Sequence, residues 1–252
     1  MELFGRSFKE FEFELFSISH FVIIALLFLG GFLLYVFRNN FRKEFRIGEI
    51  FIAVSLILIE SIYHYWMYIN GSWNISHALP LELCSISLML TVLLLLTGKR
   101  IVYEILIFTA LLGASQAIFT PIVNYDFPHF RFFHFFYTHL MTIWVALYFT
   151  WVKGYSPTIW SVLKLFIFLN VLLPIILIIN KQVNGNYLFL SKKPKGPSLM
   201  DVLGPYPWYI LSLEGLLIGL SLIVWLIFRK KNNKNPAFLK QEHMHNNLDD
   251  FS

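Results

Sequence analysis

Residues 20–37 have the sequence HFVIIALLFLGGFLLYVF, without a single charged side chain. A helix needs roughly 20 apolar residues to cross the hydrocarbon core of a bilayer, so this stretch predicts a transmembrane helix. Six further apolar runs have comparable length: 47–69, 79–97, 101–120, 132–152, 158–180 and 207–228. The sequence therefore predicts an all-α fold, a polytopic transmembrane helical bundle of about seven spans.

The composition supports a membrane protein with three regions. The chain is 57% hydrophobic and only 14% charged, whereas a soluble domain has about 25% charged residues. The first span follows a partly acidic segment, without the basic n-region and cleavage site of a signal peptide. We expect an extracellular segment at 1–19, a membrane domain at 20–228 with a long, turn-rich loop at 181–206, and a basic, polar tail at 229–252.

Lysine and arginine in the loops predict the orientation, because cytoplasmic loops carry more of both. With seven spans, one side of the membrane receives the larger share: Arg38, Arg42, Lys43, Arg46, Lys99, Arg100, Lys153, Arg229, Lys230, Lys231, Lys234 and Lys240. The opposite side receives Arg6, Lys9, Arg131, Lys181, Lys192, Lys193 and Lys195. We therefore expect a multi-pass protein of the cell membrane with its N-terminus outside and its C-terminus in the cytoplasm.

Several functional classes are disfavoured by the absence of their motifs. The chain has no Walker loop, no glycine-rich dinucleotide fingerprint, no His-Glu-x-x-His zinc motif and no Gly-x-Ser-x-Gly elbow. The net charge of +5 arises from basic clusters that flank membrane spans. We expect membrane lipids as partners, with no nucleic acid, nucleotide, cofactor or metal. The oligomeric state is left open.

Polar residues from several spans fall at a similar depth. Counted along each helix at about 1.5 Å per residue, they lie in the outer half of the bundle: Glu60, His64, Cys84, Gln116, His134, His139 and Glu214. Ionisable groups in hydrocarbon are costly and usually face a cavity or the bundle interior. The pattern predicts a polar pocket that opens to the outer leaflet.

Cys84 is the only cysteine, so it forms no disulfide within the chain. Pro80 favours a helix start nearby, and a helix N-terminus stabilises a thiolate. Glu82 acts in the opposite direction, since a neighbouring carboxylate disfavours a second negative charge. A buried cysteine also often serves as a small hydrophobic residue, and Glu60 with His64 could be only an interhelical pair. Both interpretations of these residues stay open.

An ordered series of motifs resembles a bacterial family. The segments are Leu79 to Cys84 (LPLELC), Gln116 to Pro121 (QAIFTP), His129 to Phe133 (HFRFF) followed by His139, Asn186 to Leu190 (NYLFL) with Lys193 and Pro194, and Gly204 to Tyr209 (GPYPWY). Over roughly residues 45–228 they resemble the YwaF-like integral membrane proteins. That family is remotely similar to eukaryotic transmembrane protein 164, a cysteine-dependent phospholipid acyltransferase.

The resemblance implies a catalytic cysteine at Cys84 and a catalytic histidine at His139, with His134 as the competing choice. Such an enzyme would transfer a lipid acyl group through a thioester, and a hydrolase would differ only in the acceptor. Candidate donors to the oxyanion are Asn186, Tyr187 and Gln116. His129 and Arg131 are candidates for binding a headgroup phosphate.

Two other functions fit the same residues. Glu60, His64 and Glu214, together with His139, could form the substrate or proton site of a small transporter or sensor. Alternatively, the chain could be an accessory membrane protein whose polar residues only stabilise helix packing. Dependence on Cys84 distinguishes the enzyme from both alternatives.

Overall fold

The computed structural model describes residues 3–7, 9, 11–41, 45–194 and 199–230. In this part of the chain the regular structure is helical, with loops between the helices and one isolated bridge between Glu12 and Tyr125. The seven long helices are α1 (Ile18–Val36), α2 (Arg46–Ile69), α3 (Leu83–Thr97), α4 (Arg100–Phe119), α5 (Phe130–Trp151), α6 (Ile159–Val183) and α7 (Trp208–Phe228). The predicted all-α bundle is confirmed.

Six of these helices are long and apolar enough to cross a membrane, and α3 is the exception. It has 15 residues, a length of about 22 Å. The prediction that the third span begins at residue 79 was wrong, because Pro80 has no N–H and restricts the residue before it to extended conformations. The N–H of Leu79 instead donates to the Tyr187 hydroxyl at 2.9 Å.

The centre of the bundle is formed by α4 and α5. Helix α4 packs against α3, α5 and α6, while α1 and α2 pack against α5 from outside and α7 packs against α6. Tyr103, Leu106 and Phe149 are among the fully enclosed side chains of this core. The outer helices expose apolar side chains, including Phe28, Val171 and Ile223. Exposed apolar surface of this kind suits contact with lipid chains.

The two ends of the bundle differ in character. We call the end where α1, α3, α5 and α7 begin the strap end, and the opposite end, with Arg46, Lys99, Arg100, Lys153 and Arg229, the basic end. The strap comprises the described residues before α1, namely 3–7, 9 and 11–17. It is bound by backbone hydrogen bonds to residues 124–130, including Phe130 N to Leu3 O at 2.9 Å and Asp126 N to Phe11 O at 2.7 Å.

Helix α4 contains a π-helical segment at Thr109–Ala114. This segment packs against both α3 and α5. Gly113 faces the start of α3, where an added Cβ would make an ordinary contact of 3.4 Å with Cδ2 of Leu83. π-Helical turns occur frequently at functional sites, and this one adjoins the first residue of α3.

The loop between α6 and α7 contains two short 3₁₀ turns, Tyr187–Phe189 and Leu199–Val202. The side chain of Asn180, near the end of α6, accepts from Tyr187 N at 2.8 Å and donates to Tyr187 O at 3.0 Å. These bonds fold the loop back towards α6. The predicted tail at 229–252 lies outside the described residues, apart from Arg229 and Lys230.

Candidate functional site

A polar network joins α2 to α5 in the half of the bundle nearer the strap end. His134 Nε2 lies 2.9 Å from Glu60 Oε2, and Nη1 of Arg131 lies 2.6 Å from His134 Nδ1. The Arg131 guanidinium also sits over the Tyr63 ring, 4.0 Å from its centroid. Helical spacing explains the grouping, since residues three or four apart share one face.

These contacts define the tautomer of His134. Arginine only donates hydrogen bonds, so Nδ1 of His134 must accept. The remaining nitrogen, Nε2, therefore carries the proton and donates it to the Glu60 carboxylate. Both ring nitrogens of His134 are engaged within the protein, which leaves neither free to take a proton from a substrate or a thiol.

His64 lies at the edge of this network, one turn after Glu60. Its Nδ1 accepts a long hydrogen bond of 3.4 Å from the indole N–H of Trp73. Its Nε2 is 3.6 Å from Glu60 Oε1, a distance within the range of an ion pair but too long for a hydrogen bond. His64 therefore retains a donor that another polar group can use.

His139 has a different environment on α5. It is buried, with Nδ1 2.6 Å from the carbonyl oxygen of Phe135. A carbonyl only accepts, so Nδ1 carries the proton and Nε2 has a free lone pair. Nε2 is enclosed and has no hydrogen-bond partner in the described structure. His139 is thus in the tautomer that a general base requires.

Two further buried histidines, His20 and His129, make hydrogen bonds through both ring nitrogens. His20 accepts from Phe16 N at 3.0 Å and donates to Ile118 O at 2.8 Å. His129 accepts from Arg131 N at 3.1 Å and donates to Gly5 O at 3.0 Å. These bonds give both residues a structural role at the strap end. His139 alone among the buried histidines described leaves a nitrogen unpaired.

Cys84 is the second residue of α3 and is partly buried. Its position in the first turn agrees with the expected placement at a helix N-terminus. The cap residue Glu82 makes no side-chain bond to this turn, so the first N–H groups of α3 are not capped by it. Backbone N–H groups of this kind favour negative charge on a thiolate or an oxyanion.

The relation between Cys84 and His139 follows from the packing of α3 on α5. The hydroxyls of Thr91 and Thr142 lie 3.4 Å apart and indicate the register of these two helices, which run in the same direction. His139 is then level with Leu88, and Cys84 is one turn, about 6 Å, nearer the strap end. The two side chains are not hydrogen-bonded to each other.

Glu82, at the cap of α3, accepts a hydrogen bond from Leu188 N at 3.2 Å. Burial raises the pKa of the Glu82 carboxyl, and the hydrogen bond from Leu188 offsets part of this rise. A carboxyl that is more readily protonated opposes negative charge on Cys84 less strongly.

Three residues predicted for the pocket are exposed or already engaged in hydrogen bonds, and a fourth lies on α7. Gln116 is exposed and bonds Thr120 within α4. Asn186 closes its own loop through bonds with Ser191 and Lys192. The fully buried Tyr187 hydroxyl donates to Ile75 O at 2.6 Å and accepts from Leu79. Glu214 is on α7, which packs on α6 and α4.

The two residues predicted to bind a headgroup lie at the start of α5, and His129 is not accessible. It is fully buried and stacks on Tyr125 with ring centroids 4.2 Å apart. Burial lowers the pKa of His129, the bond to Gly5 opposes this effect, and the nearby Arg131 charge adds to the lowering. Arg131 is itself committed to His134 and Tyr63.

Sequence reasoning missed Tyr63 and the carbonyl of Phe135. Tyr63 stacks on His134, with ring centroids 4.2 Å apart, as well as on Arg131. Its spacing of three residues from Glu60 was a usable signal, since it places both on one helix face. The Phe135 carbonyl is one turn before His139 and is visible only once the histidine rotamer is known.

The fold and these polar contacts define a polytopic all-α membrane protein with a polar centre between α2, α3 and α5. The TMEM164 family model matches residues 15–225 of the chain. Because the match covers most of the sequence, the chain belongs to the TMEM164 family. Among curated proteins and among solved structures, no match was found. The resemblance to the bacterial YwaF-like proteins stays a prediction.

Proposed function

We propose that this protein is a cysteine-dependent lipid acyltransferase or acyl hydrolase, with Cys84 as nucleophile and His139 as general base. One observation carries the proposal: His139 has a proton fixed on Nδ1 by Phe135 and a buried, unpartnered Nε2. It lies on a helix that packs against α3, which carries the only cysteine. Membership of the TMEM164 family, together with its resemblance to a cysteine-dependent acyltransferase, supports the same chemistry.

The choice between the two candidate histidines follows from hydrogen bonding. His134 has both nitrogens engaged by Arg131 and Glu60, whereas His139 has one free. Catalytic hydrogen bonds are often absent or long before substrate binds. We propose that the axial offset of about one helical turn between Cys84 and His139 is reduced by movement of Cys84 when a lipid ester binds, while the bond to Phe135 holds His139 in place.

The reaction balances as two acyl transfers. His139 Nε2 takes the proton from the Cys84 thiol, and the thiolate attacks the ester carbonyl carbon. The bond from that carbon to the glycerol oxygen breaks, and His139 returns the proton to the leaving oxygen. A second hydroxyl, from another lipid or from water, then gives its proton to His139 and attacks the thioester carbon. The carbon–sulfur bond breaks and the thiol re-forms.

Oxyanion stabilisation is assigned to the backbone rather than to the side chains named from the sequence. Asn186 and Tyr187 are engaged in holding their loop, and Gln116 is exposed and bonded to Thr120. The first N–H groups of α3 lie beside Cys84 and have the direction and partial charge that an oxyanion requires.

The orientation in the membrane is part of the proposal. The described basic residues Arg46, Lys99, Arg100, Lys153 and Arg229 gather at one end. By the positive-inside rule, this basic end faces the cytoplasm and the strap end faces outside. Cys84 would then act in the outer leaflet of the cell membrane, at the level of the first turn of α3.

The direct test is detection of the thioester. The protein in lipid nanodiscs is incubated with mixed phospholipids and examined by intact-protein mass spectrometry. We expect an acyl adduct on wild-type protein that hydroxylamine removes and that Cys84→Ala lacks. Ser85→Ala, at the next position of α3, is the matched control. An unmodified wild-type protein with unchanged lipids after long incubation contradicts the proposal.

A further inference from the structure

A groove runs between α2 and α3 on the surface of the bundle that faces lipid. Its volume is about 560 Å³, within the range of small-molecule sites. Apolar side chains from both helices form most of its wall, including Ile57, Met89, Leu93 and Leu96. Glu60 and His64 are the ionisable residues that line it.

The polar residues lie at one end of this groove. Helices α2 and α3 run in opposite directions, so the groove extends from Leu96, towards the basic end, to His64, towards the strap end. Leu88 also lines it, one helical turn after Cys84. The polar end of the groove therefore adjoins the first turn of α3, where the proposed nucleophile is located.

The polar end offers a hydrogen-bond donor that the protein does not use. Glu60 Oε2 is held by His134, and the Ser61 hydroxyl donates to Ile57 O at 2.7 Å. His64 Nε2 is 3.6 Å from Glu60 Oε1 and makes no hydrogen bond at that distance. A free donor beside a long apolar wall matches a molecule with an oxygen acceptor at the head of a hydrocarbon chain.

The strap contacts α2 and α5 beyond this end of the groove. The carbonyl oxygen of Phe4 accepts from the Trp66 indole at 2.8 Å, and the Phe4 ring stacks on Phe130 with centroids 5.5 Å apart. These contacts cover the ends of α2 and α5 beside the network. The groove itself opens sideways, towards the bilayer, so a ligand that is already dissolved in the membrane has the shorter route.

We infer that the α2–α3 groove binds one acyl chain of a membrane phospholipid, with the adjoining ester or phosphate oxygen accepting from His64 Nε2. The chain lies along Ile57, Met89 and Leu93, and the ester then stands at the first turn of α3. This inference rests on the proposed function only for the reaction that the bound ester then undergoes. The binding site itself does not require that Cys84 reacts.

The test uses the Cys84→Ala protein, so that binding is measured without turnover. Nanodiscs of phosphatidylcholine contain a small fraction of phosphatidylcholine with a diazirine in one acyl chain. After irradiation, peptide mass spectrometry maps the labelled residues. We expect residues 57–64 and 88–96 to carry at least five-fold more label than the lipid-facing residues of α7.

Two matched substitutions distinguish a bound chain from lipid that surrounds any membrane protein. Leu93→Trp fills the groove and should reduce its labelling at least five-fold. Ile223→Trp places the same side chain on α7, where the native residue is similarly exposed, and should leave groove labelling unchanged. Leu93→Phe, together with a thermal unfolding midpoint for each variant, provides the same comparison if the tryptophan variant does not fold.

The outcomes separate this inference from the proposed enzyme. Equal labelling of all lipid-facing helices, unaffected by Leu93→Trp, shows surrounding lipid only and overturns the groove site. Strong groove labelling in Cys84→Ala, combined with no thioester on the wild-type protein, keeps the lipid site and overturns the enzyme. His64→Phe should lower groove labelling by phosphatidylcholine but not by a diazirine-bearing hydrocarbon, and equal loss for both probes contradicts the assigned donor.

Discussion

Two glutamates link α2 to α5 at different levels, Glu49 towards the basic end and Glu60 towards the strap end. Glu49 is buried and accepts from the Tyr148 hydroxyl at 2.7 Å, and it pairs with Lys153 Nζ at 2.6 Å and Arg46 Nη1 at 2.9 Å. Glu60 has neutral His134 as its hydrogen-bond partner and lines a groove open to lipid. The link at Glu49 is a closed ion-pair cluster, and the link at Glu60 lies beside a groove and is part of the proposed site.

The surroundings of Glu49 and Glu60 also differ in whether their polar groups have partners. At the basic end Glu104 is paired with both Lys164 and Arg100, and Arg46 also donates to the carbonyls of Leu95 and Leu96.

Near Glu60, by contrast, His139 keeps a buried nitrogen without a partner. Such an atom costs about 1–3 kcal/mol of stability. Polar depth alone therefore does not identify a site, whereas an unsatisfied buried group calls for a chemical explanation.

The largest expected effect is on catalysis. His139→Phe removes the proposed base while keeping a ring of similar shape, and it should lower the rate of acyl adduct formation by about 10³-fold, within the range for general-base catalysis. Because Nε2 has no hydrogen-bond partner, the substitution removes only the bond from Nδ1 to the Phe135 carbonyl. The thermal unfolding midpoint should therefore fall only by the small amount that corresponds to that one bond.

The matched control is His20→Phe. This change leaves Phe16 N and Ile118 O without their partner, so it should destabilise the protein by about 2–3 kcal/mol while the folded fraction keeps its activity. If His139→Phe instead proves the more destabilising of the two and retains activity, His139 is a structural residue.

The next effect concerns the closed cluster. Glu49→Gln leaves Lys153 and Arg46 without a buried counter-charge and should cost about 3 kcal/mol, the lower end for breaking a buried pair, because both cations are partly exposed. The thermal unfolding midpoint in detergent should fall by about 6–12 °C. An unchanged midpoint shows that the cluster does not hold α2 against α5.

A smaller loss is expected for Glu60→Gln. Glutamine still accepts from His134 Nε2, so only the charge-assisted part of that bond disappears, a cost of about 1–2 kcal/mol. The same unfolding measurement compares it directly with Glu49→Gln. If Glu60→Gln lowers the free energy of unfolding as much as Glu49→Gln or more, Glu60 is as structural as Glu49, and the proposed contrast between the two glutamates is wrong.

The smallest effect is a pH dependence at the strap end. Burial lowers the pKa of His129 in the folded protein, so its contribution to stability is complete above the unfolded value of about 6.5 and is lost as the pH falls below it. His129→Asn keeps an acceptor at the N-cap of α5 but does not titrate. The decrease in unfolding midpoint between pH 7 and pH 5 should be smaller in this variant, and an identical decrease assigns the pH dependence to other groups.

Most of the fold is visible in the sequence, because long apolar runs allow few structures in a membrane. Helix bounds are within a few residues of the predicted ones except at the start of α3. There the apolar run begins at Leu79, yet the helix begins at Leu83. Hydrophobicity alone could not reveal that Pro80 and the hydroxyl of Tyr187 hold residues 79–82 outside the helix.

The candidate site was only partly predictable. Depth along each helix can be counted, and this count correctly brought Glu60, His64 and His134 together. The direction in which each helix face points depends on the packing of the whole bundle, so the exposed position of Gln116 and its bond to Thr120 could not be predicted. The proposed choice of His139 over His134 rests on hydrogen-bond partners, which the sequence does not contain.

The strap has a consequence for how the protein is made. Its backbone partners at residues 124–130 are synthesised after four complete helices have followed it. The strap must therefore wait for these partners until the connection between α4 and α5 reaches the same side of the membrane. Assembly of this face is a late event in biogenesis, and a bulky fusion placed ahead of the strap would interfere with that closing step rather than with insertion of the helices.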